Sequence, residues 1–95
     1  MPSGSGTASM FFGGTPTDEA SATVTGLTGM LPGDHAEAWF QHGDSTSSND
    51  AAAHEEAAAV CILTCSAGND QMTVKAECLA GLITGFLLFH YGWSS

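Results

Sequence analysis

The most hydrophobic part of the chain extends from Met72 to Trp93 and reads MTVKAECLAGLITGFLLFHYGW. It has no formally charged residue after Glu77. A helix rises about 1.5 Å per residue, so residues 76–93 would span about 27 Å, close to the roughly 30 Å hydrocarbon core of a bilayer. This pattern predicts a helix over 71–93 that either crosses a membrane or lies fully buried in a protein core.

Glycines recur in this segment at helical spacing. Gly81 and Gly85 form a GxxxG pattern, and Gly92 follows seven residues later. On a helix the three glycines would lie on one face, where small residues allow another backbone to approach closely. They are therefore the predicted helix-packing surface.

A second helix is predicted over 50–66, with the sequence DAAAHEEAAAVCILTCS. Its alanines favour a helix, and Asp50 suits the N-cap position. The following SAGND has the residues of a tight turn, with Gly68 as the helix terminator. Residues 50–66 and 71–93 would then form a helical hairpin.

The first 49 residues are acidic and rich in glycine, serine and threonine, which predicts an extended or irregular region. Asp34 and Glu37 resemble a capping box and predict one short amphipathic helix over about 35–42. The polar segment GDSTSSND marks a boundary, giving regions 1–49 and 50–95. The predicted fold class is mainly α.

Charge limits the partners. The chain has ten acidic residues, a formal net charge of -9, and a single basic residue, Lys75. Such a chain cannot neutralise phosphates, which disfavours nucleic acid, whereas basic protein surfaces stay possible. The candidate anchors for larger protein subunits are Phe11, Phe12, Trp39 and Phe40, because aromatic side chains supply much of the contact energy at interfaces.

Three cysteines lie in the predicted hairpin. Cys61 and Cys78 are nearly equidistant from the turn near Gly68, so a disulfide between them could tie the hairpin. Buried free thiols are the alternative. A metal site that also used Cys65 would lack the paired CxxC spacing of structural zinc sites, and no metal site is predicted.

His90 is the candidate cofactor ligand. Near the end of the hydrophobic helix, its imidazole could be the axial ligand of a tetrapyrrole such as chlorophyll or haem, resting over Gly85 and Gly92. The alternative is an interfacial histidine. The sequence has no GxSxG motif and no HExxH motif, so we expect no catalytic site.

Together these patterns predict a non-catalytic accessory subunit of a larger membrane complex, photosynthetic or respiratory. A single C-terminal span would hold it in lipid, with its N-terminal extension on larger protein subunits. The alternatives are a structural protein of a virion or filament, and a soluble acidic binding module in which 72–93 is a core helix.

Overall fold

The computed structural model describes residues 3–41 and 43–95, and it contains strands where the sequence predicts helices. The elements, in chain order, are β1 (Ser3–Phe11), β2 (Glu19–Thr25), β3 (His35–Trp39), α1 (Ala51–Val60), β4 (Cys61–Gly68), β5 (Gln71–Cys78) and β6 (Phe86–Ser94). The prediction of a mainly α fold is therefore wrong.

The strands form two antiparallel sheets of three strands, ordered β1-β6-β3 and β2-β5-β4. β3 packs beside β4 and β1 beside β2, so the sheets face each other. Strands from both predicted regions, 1–49 and 50–95, contribute to each of the two sheets. The shared core contains Met10, Phe12, Val24, Leu27, Met30, Phe40, Ala57, Met72, Val74, Ala76, Cys78, Leu87, Phe89 and Trp93.

The predicted helix over 71–93 is replaced by β5, a loop over 79–85 and β6. In β5 every second side chain is buried, from Met72 to Cys78, while those between them, including Lys75, are exposed. This period of two is the strand pattern. Gly81 and Gly85 have φ angles of 80° and 77°, which an α-helix does not contain.

No helix in ranges 3–41 and 43–95 is long and apolar enough to cross a membrane. The predicted membrane location, with a single C-terminal span, is wrong for this reason. The expectation of a subunit in a photosynthetic or respiratory membrane complex depended on that span and loses its basis.

The other two predicted helices change as well. The helix over 50–66 is real only from Ala51 to Val60, where Asp50 Oδ1 accepts a hydrogen bond from the Ala53 N–H at 2.9 Å. Beyond it, alternating exposure defines β4. The short helix over 35–42 is replaced by β3, whose side chains also alternate in exposure, and the end of that prediction at residue 42 lies outside the described residues.

Candidate binding site

One end of the molecule combines the helix with three connecting segments, and we call it the helix end. Here β1, β3 and β5 finish, β2, β4 and β6 begin, and α1 lies against residues 79–85. The Leu79 N–H donates to the Val60 carbonyl at 2.8 Å, and the Gly85 N–H donates to the Gly13 carbonyl at 2.9 Å. These bonds hold the loop over 79–85 between α1 and the end of β1.

Side chains replace a strand along part of β6. β3 stops at Trp39, opposite His90, so the earlier residues of β6 have no strand on that side. The Phe86 N–H donates instead to Ser48 Oγ at 2.8 Å, and Asn49 Nδ2 donates to the Phe86 carbonyl at 2.7 Å. Residues 43–50, the polar segment that the sequence analysis took as a boundary, thus form part of the fold.

His54 fastens α1 to the same edge of β6. Its side chain is fully buried, and its Nε2 accepts a hydrogen bond from the Leu88 N–H at 2.9 Å. Since Nε2 is an acceptor, Nδ1 carries the hydrogen and donates to the Asp50 carbonyl at 2.9 Å. Both ring nitrogens are therefore hydrogen-bonded, and neither is left for a ligand.

A cavity of about 180 Å³ lies between α1 and residues 80–84. Its apolar walls are Ala53, Ala57, Val60, Ala80, Leu82, Ile83 and Leu87, and its polar lining includes Asn49, Glu56 and Thr84. An apolar cavity of about 150 Å³ is enough to bind benzene. This cavity can therefore hold an aromatic ring or a large aliphatic side chain.

Exposed apolar side chains lie at the same end. Phe11 and Phe86 are cross-strand neighbours with ring centroids 4.6 Å apart, and they are 54% and 42% exposed. Leu79 and Leu82, in the adjacent loop, are 74% and 65% exposed. Several large exposed apolar side chains at one end of a small domain mark a candidate interaction site.

Acidic residues are also numerous at this end of the molecule. The helix end carries Asp18, Glu19, Asp50, Glu55, Glu56 and Glu77. The single basic residue, Lys75, lies on the outer face of the β2-β5-β4 sheet, where its Nζ is 3.4 Å from Glu77 Oε1. The potential around the cavity is consequently negative and favours a cationic partner.

The structure places His90 on the outer face of the β1-β6-β3 sheet. Its Nε2 is 2.6 Å from Asp44 Oδ2, and its ring stacks on Trp39 with centroids 6.0 Å apart. Gly85 lies in a loop and Gly92 in β6, so the helical glycine face expected to carry a tetrapyrrole does not form. The hydrogen bond instead fastens residues 43–50 to β6.

The predicted partner anchors divide into two groups. Phe12 and Phe40 are buried in the chain's own core, whereas Phe11 and Trp39 are exposed and available to a partner.

The structure pairs two of the three cysteines. Cys61 and Cys78 are opposite each other in β4 and β5 and form a disulfide.

Cys65 is a free, half-buried cysteine on β4. Burial, and then the negative charge of Glu37, raise the pKa of its thiol above the ordinary value. A raised pKa reduces the thiolate fraction at neutral pH, which makes this cysteine less nucleophilic than an exposed one. Within the described residues, no three side chains of His, Cys, Asp or Glu come together as a metal site.

No protein-family model, no curated protein and no solved structure matches the chain. The class that the fold defines is a small domain of two antiparallel sheets with one helix at its end. Of the exposed residues at this end, the sequence analysis singled out Phe11 as a partner anchor but placed Leu79, Leu82 and Phe86 within the predicted helix over 71–93; the glycines beside the two leucines were a weak signal of a surface loop.

Proposed function

We propose that the chain is a non-catalytic protein-binding domain that attaches to a larger protein partner through its helix end. The observation that carries this proposal is the exposed Phe11–Phe86 pair beside the loop that bears Leu79 and Leu82. Aromatic side chains of this kind dominate the energetics of protein interfaces, and leaving them in water is unfavourable. We assign no catalytic role to His90 and Asp44, because their hydrogen bond has a structural task.

Charge favours a basic partner over a second copy of this chain. At a net charge of -9, two copies repel each other, and the acidic residues at the helix end would be brought close together in a dimer through this surface. A partner with lysine or arginine around an apolar centre would satisfy both features of the surface. Charge complementarity also makes association faster at low salt.

Site-specific photo-crosslinking tests this function in the cells that make the protein. Benzoylphenylalanine is placed at Phe86 or at Leu82, with Thr73 on the polar outer face of the other sheet as control. We expect Phe86 and Leu82 to capture the same protein and Thr73 to capture none. The captured protein is identified by mass spectrometry and then purified.

Binding to the purified partner is then measured directly. Phe86→Ser should weaken the Kd by about thirtyfold, as expected for loss of an interface hot spot worth about 2 kcal/mol. Thr73→Ser should leave the Kd unchanged, and circular dichroism must show that both variants fold. Capture mainly from Thr73, or an unchanged Kd for Phe86→Ser, would contradict a partner site at the helix end.

A further inference from the structure

We propose that the cavity between α1 and residues 80–84 accepts one aromatic side chain from the partner, and that Glu56 binds a neighbouring lysine or arginine of the same segment. This inference rests on the proposed protein-binding function and specifies the chemistry of the bound segment. It assigns the cavity as the anchor pocket of the interface.

The size and walls of the cavity fit an aromatic side chain. Its volume of about 180 Å³ exceeds the roughly 150 Å³ that accommodates benzene. One wall is built by α1 through Ala53 and Ala57, whose short side chains leave room, and the opposite wall by Leu82 and Ile83. Interface anchors insert into pockets that they fill and shield from water, and this cavity offers an apolar wall on each side for such a side chain.

Among the polar groups that line the cavity, the Glu56 carboxylate is available to recognise the bound segment. The Asn49 Nδ2 already donates to the carbonyls of Thr84 and Phe86, at 2.9 and 2.7 Å. The Glu56 side chain is exposed, lines the cavity and has no hydrogen-bonding or ionic partner among the described residues. A cation beside the aromatic ring would therefore find an available acceptor, whereas an anion would be repelled.

A protein segment explains more of the surface than a small hydrocarbon does. A small apolar molecule would fill the cavity but leave the Phe11–Phe86 pair and Leu79 in water. A peptide chain whose aromatic residue enters the cavity can extend over these side chains as well. A second copy of this acidic chain would bring few cations, because Lys75 is its single basic residue.

The test uses peptide amides as probes and two-dimensional NMR of the full chain labelled with ¹⁵N. The probes are N-acetyl-phenylalanyl-arginine amide, the matching phenylalanyl-glutamate amide and the alanyl-arginine amide. We expect the first to shift the amide signals of Ala53, Ala57 and Ile83 in a saturable way with a Kd of about 1 mM. The other two should bind at least about tenfold more weakly.

Two pairs of variants make the test specific. Ala53→Leu fills the cavity and should abolish binding, while Ala52→Leu adds the same side chain at an exposed helix position outside the cavity and should preserve it. Glu56→Gln should remove the preference for the arginine probe, whereas Glu19→Gln, which removes the same charge outside the lining, should keep it.

Unchanged binding by Ala53→Leu, equal affinity for the arginine and glutamate probes, or no saturable shifts would overturn the proposal. These failures are distinguishable from failure of the protein-binding function. If Phe86 and Leu82 still capture a common partner but the probes do not enter the cavity, the helix end is an interface without this anchor pocket. If the crosslinks also fail, both proposals fall.

Discussion

Replacing Gly85 with alanine tests how residues 43–50 support β6. Gly85 has φ of 77°, and a Cβ added there would lie 2.6 Å from Ser48 Oγ and 2.7 Å from Ser48 Cβ. Such contacts force the serine to move, and the same Oγ accepts the Phe86 N–H. Gly81 provides a matched control, because its φ is 80° but an added Cβ would meet nothing within 4 Å.

The two substitutions share the same backbone cost and differ in the contact that the new Cβ makes. A non-glycine residue in the left-handed region costs roughly 1–2 kcal/mol, and both alanines carry this cost. Gly85→Ala also displaces Ser48 from Phe86, which removes a hydrogen bond with a net value of about 1 kcal/mol. We therefore expect Gly85→Ala to reduce the free energy of unfolding by about 1 kcal/mol more than Gly81→Ala does. For a domain of this size, that difference lowers the Tm of Gly85→Ala by about 4–8 °C relative to Gly81→Ala.

Urea and thermal unfolding, followed by tryptophan fluorescence, to which the buried Trp93 contributes, measure this difference. A double-mutant cycle with Ser48→Gly assigns it. In the Ser48→Gly background the extra loss from Gly85→Ala should vanish, because the clashing side chain is gone. Equal losses for Gly81→Ala and Gly85→Ala in the wild-type background would refute the role given to Ser48.

Three further predictions concern the interior. His54→Ala should reduce the free energy of unfolding by about 3 kcal/mol, because it leaves a void and an unpaired N–H on β6. Urea denaturation measures this loss, and a value below about 1 kcal/mol would contradict the role of His54 in joining α1 to β6. Alkylation of Cys65 by iodoacetamide at pH 8 should be slower in the folded than in the unfolded chain, and Glu37→Gln should accelerate it, because removing a nearby negative charge lowers the thiol pKa and increases the thiolate fraction. An unchanged rate in Glu37→Gln would count against the electrostatic effect. Replacing both Cys61 and Cys78 with alanine should reduce stability by about 3 kcal/mol, given their separation of 17 residues, and Cys65→Ala is the control that keeps the disulfide.

Some of the fold could be predicted from local sequence signals. The helix begins where Asp50 and the alanines indicate, because capping and helix propensity act within a few residues. The turn after Gly68 was also recognisable. A reversal at this point brings Cys61 and Cys78 opposite each other whether the flanking segments are helices or strands, so that relationship does not depend on the secondary structure.

The strands within 71–93 were missed because the high hydrophobicity of the whole segment outweighed the alternation of polar and apolar residues in part of it. In β5 the polar Thr73, Lys75 and Glu77 alternate with buried residues, which indicates a strand even though 71–93 as a whole is apolar. β3 alternates in the same way, with Ala36 and Ala38 less exposed than the residues between them. Local capping signals after Asp34 were outweighed by pairing with β6, a contact distant in the sequence.

The candidate binding site depends on a feature that no local pattern contains, the early end of β3. A segment rich in serine, threonine and asparagine has the same composition whether it is a flexible linker or hydrogen-bonds to the edge of a strand. What distinguishes the two is the unpaired edge of β6, which lies 38 residues beyond Ser48 in sequence. Because β3 stops at Trp39, α1 rather than another strand covers this edge through His54. The space between α1, residues 80–84 and Leu87 of β6 is the cavity proposed to receive the partner's aromatic side chain.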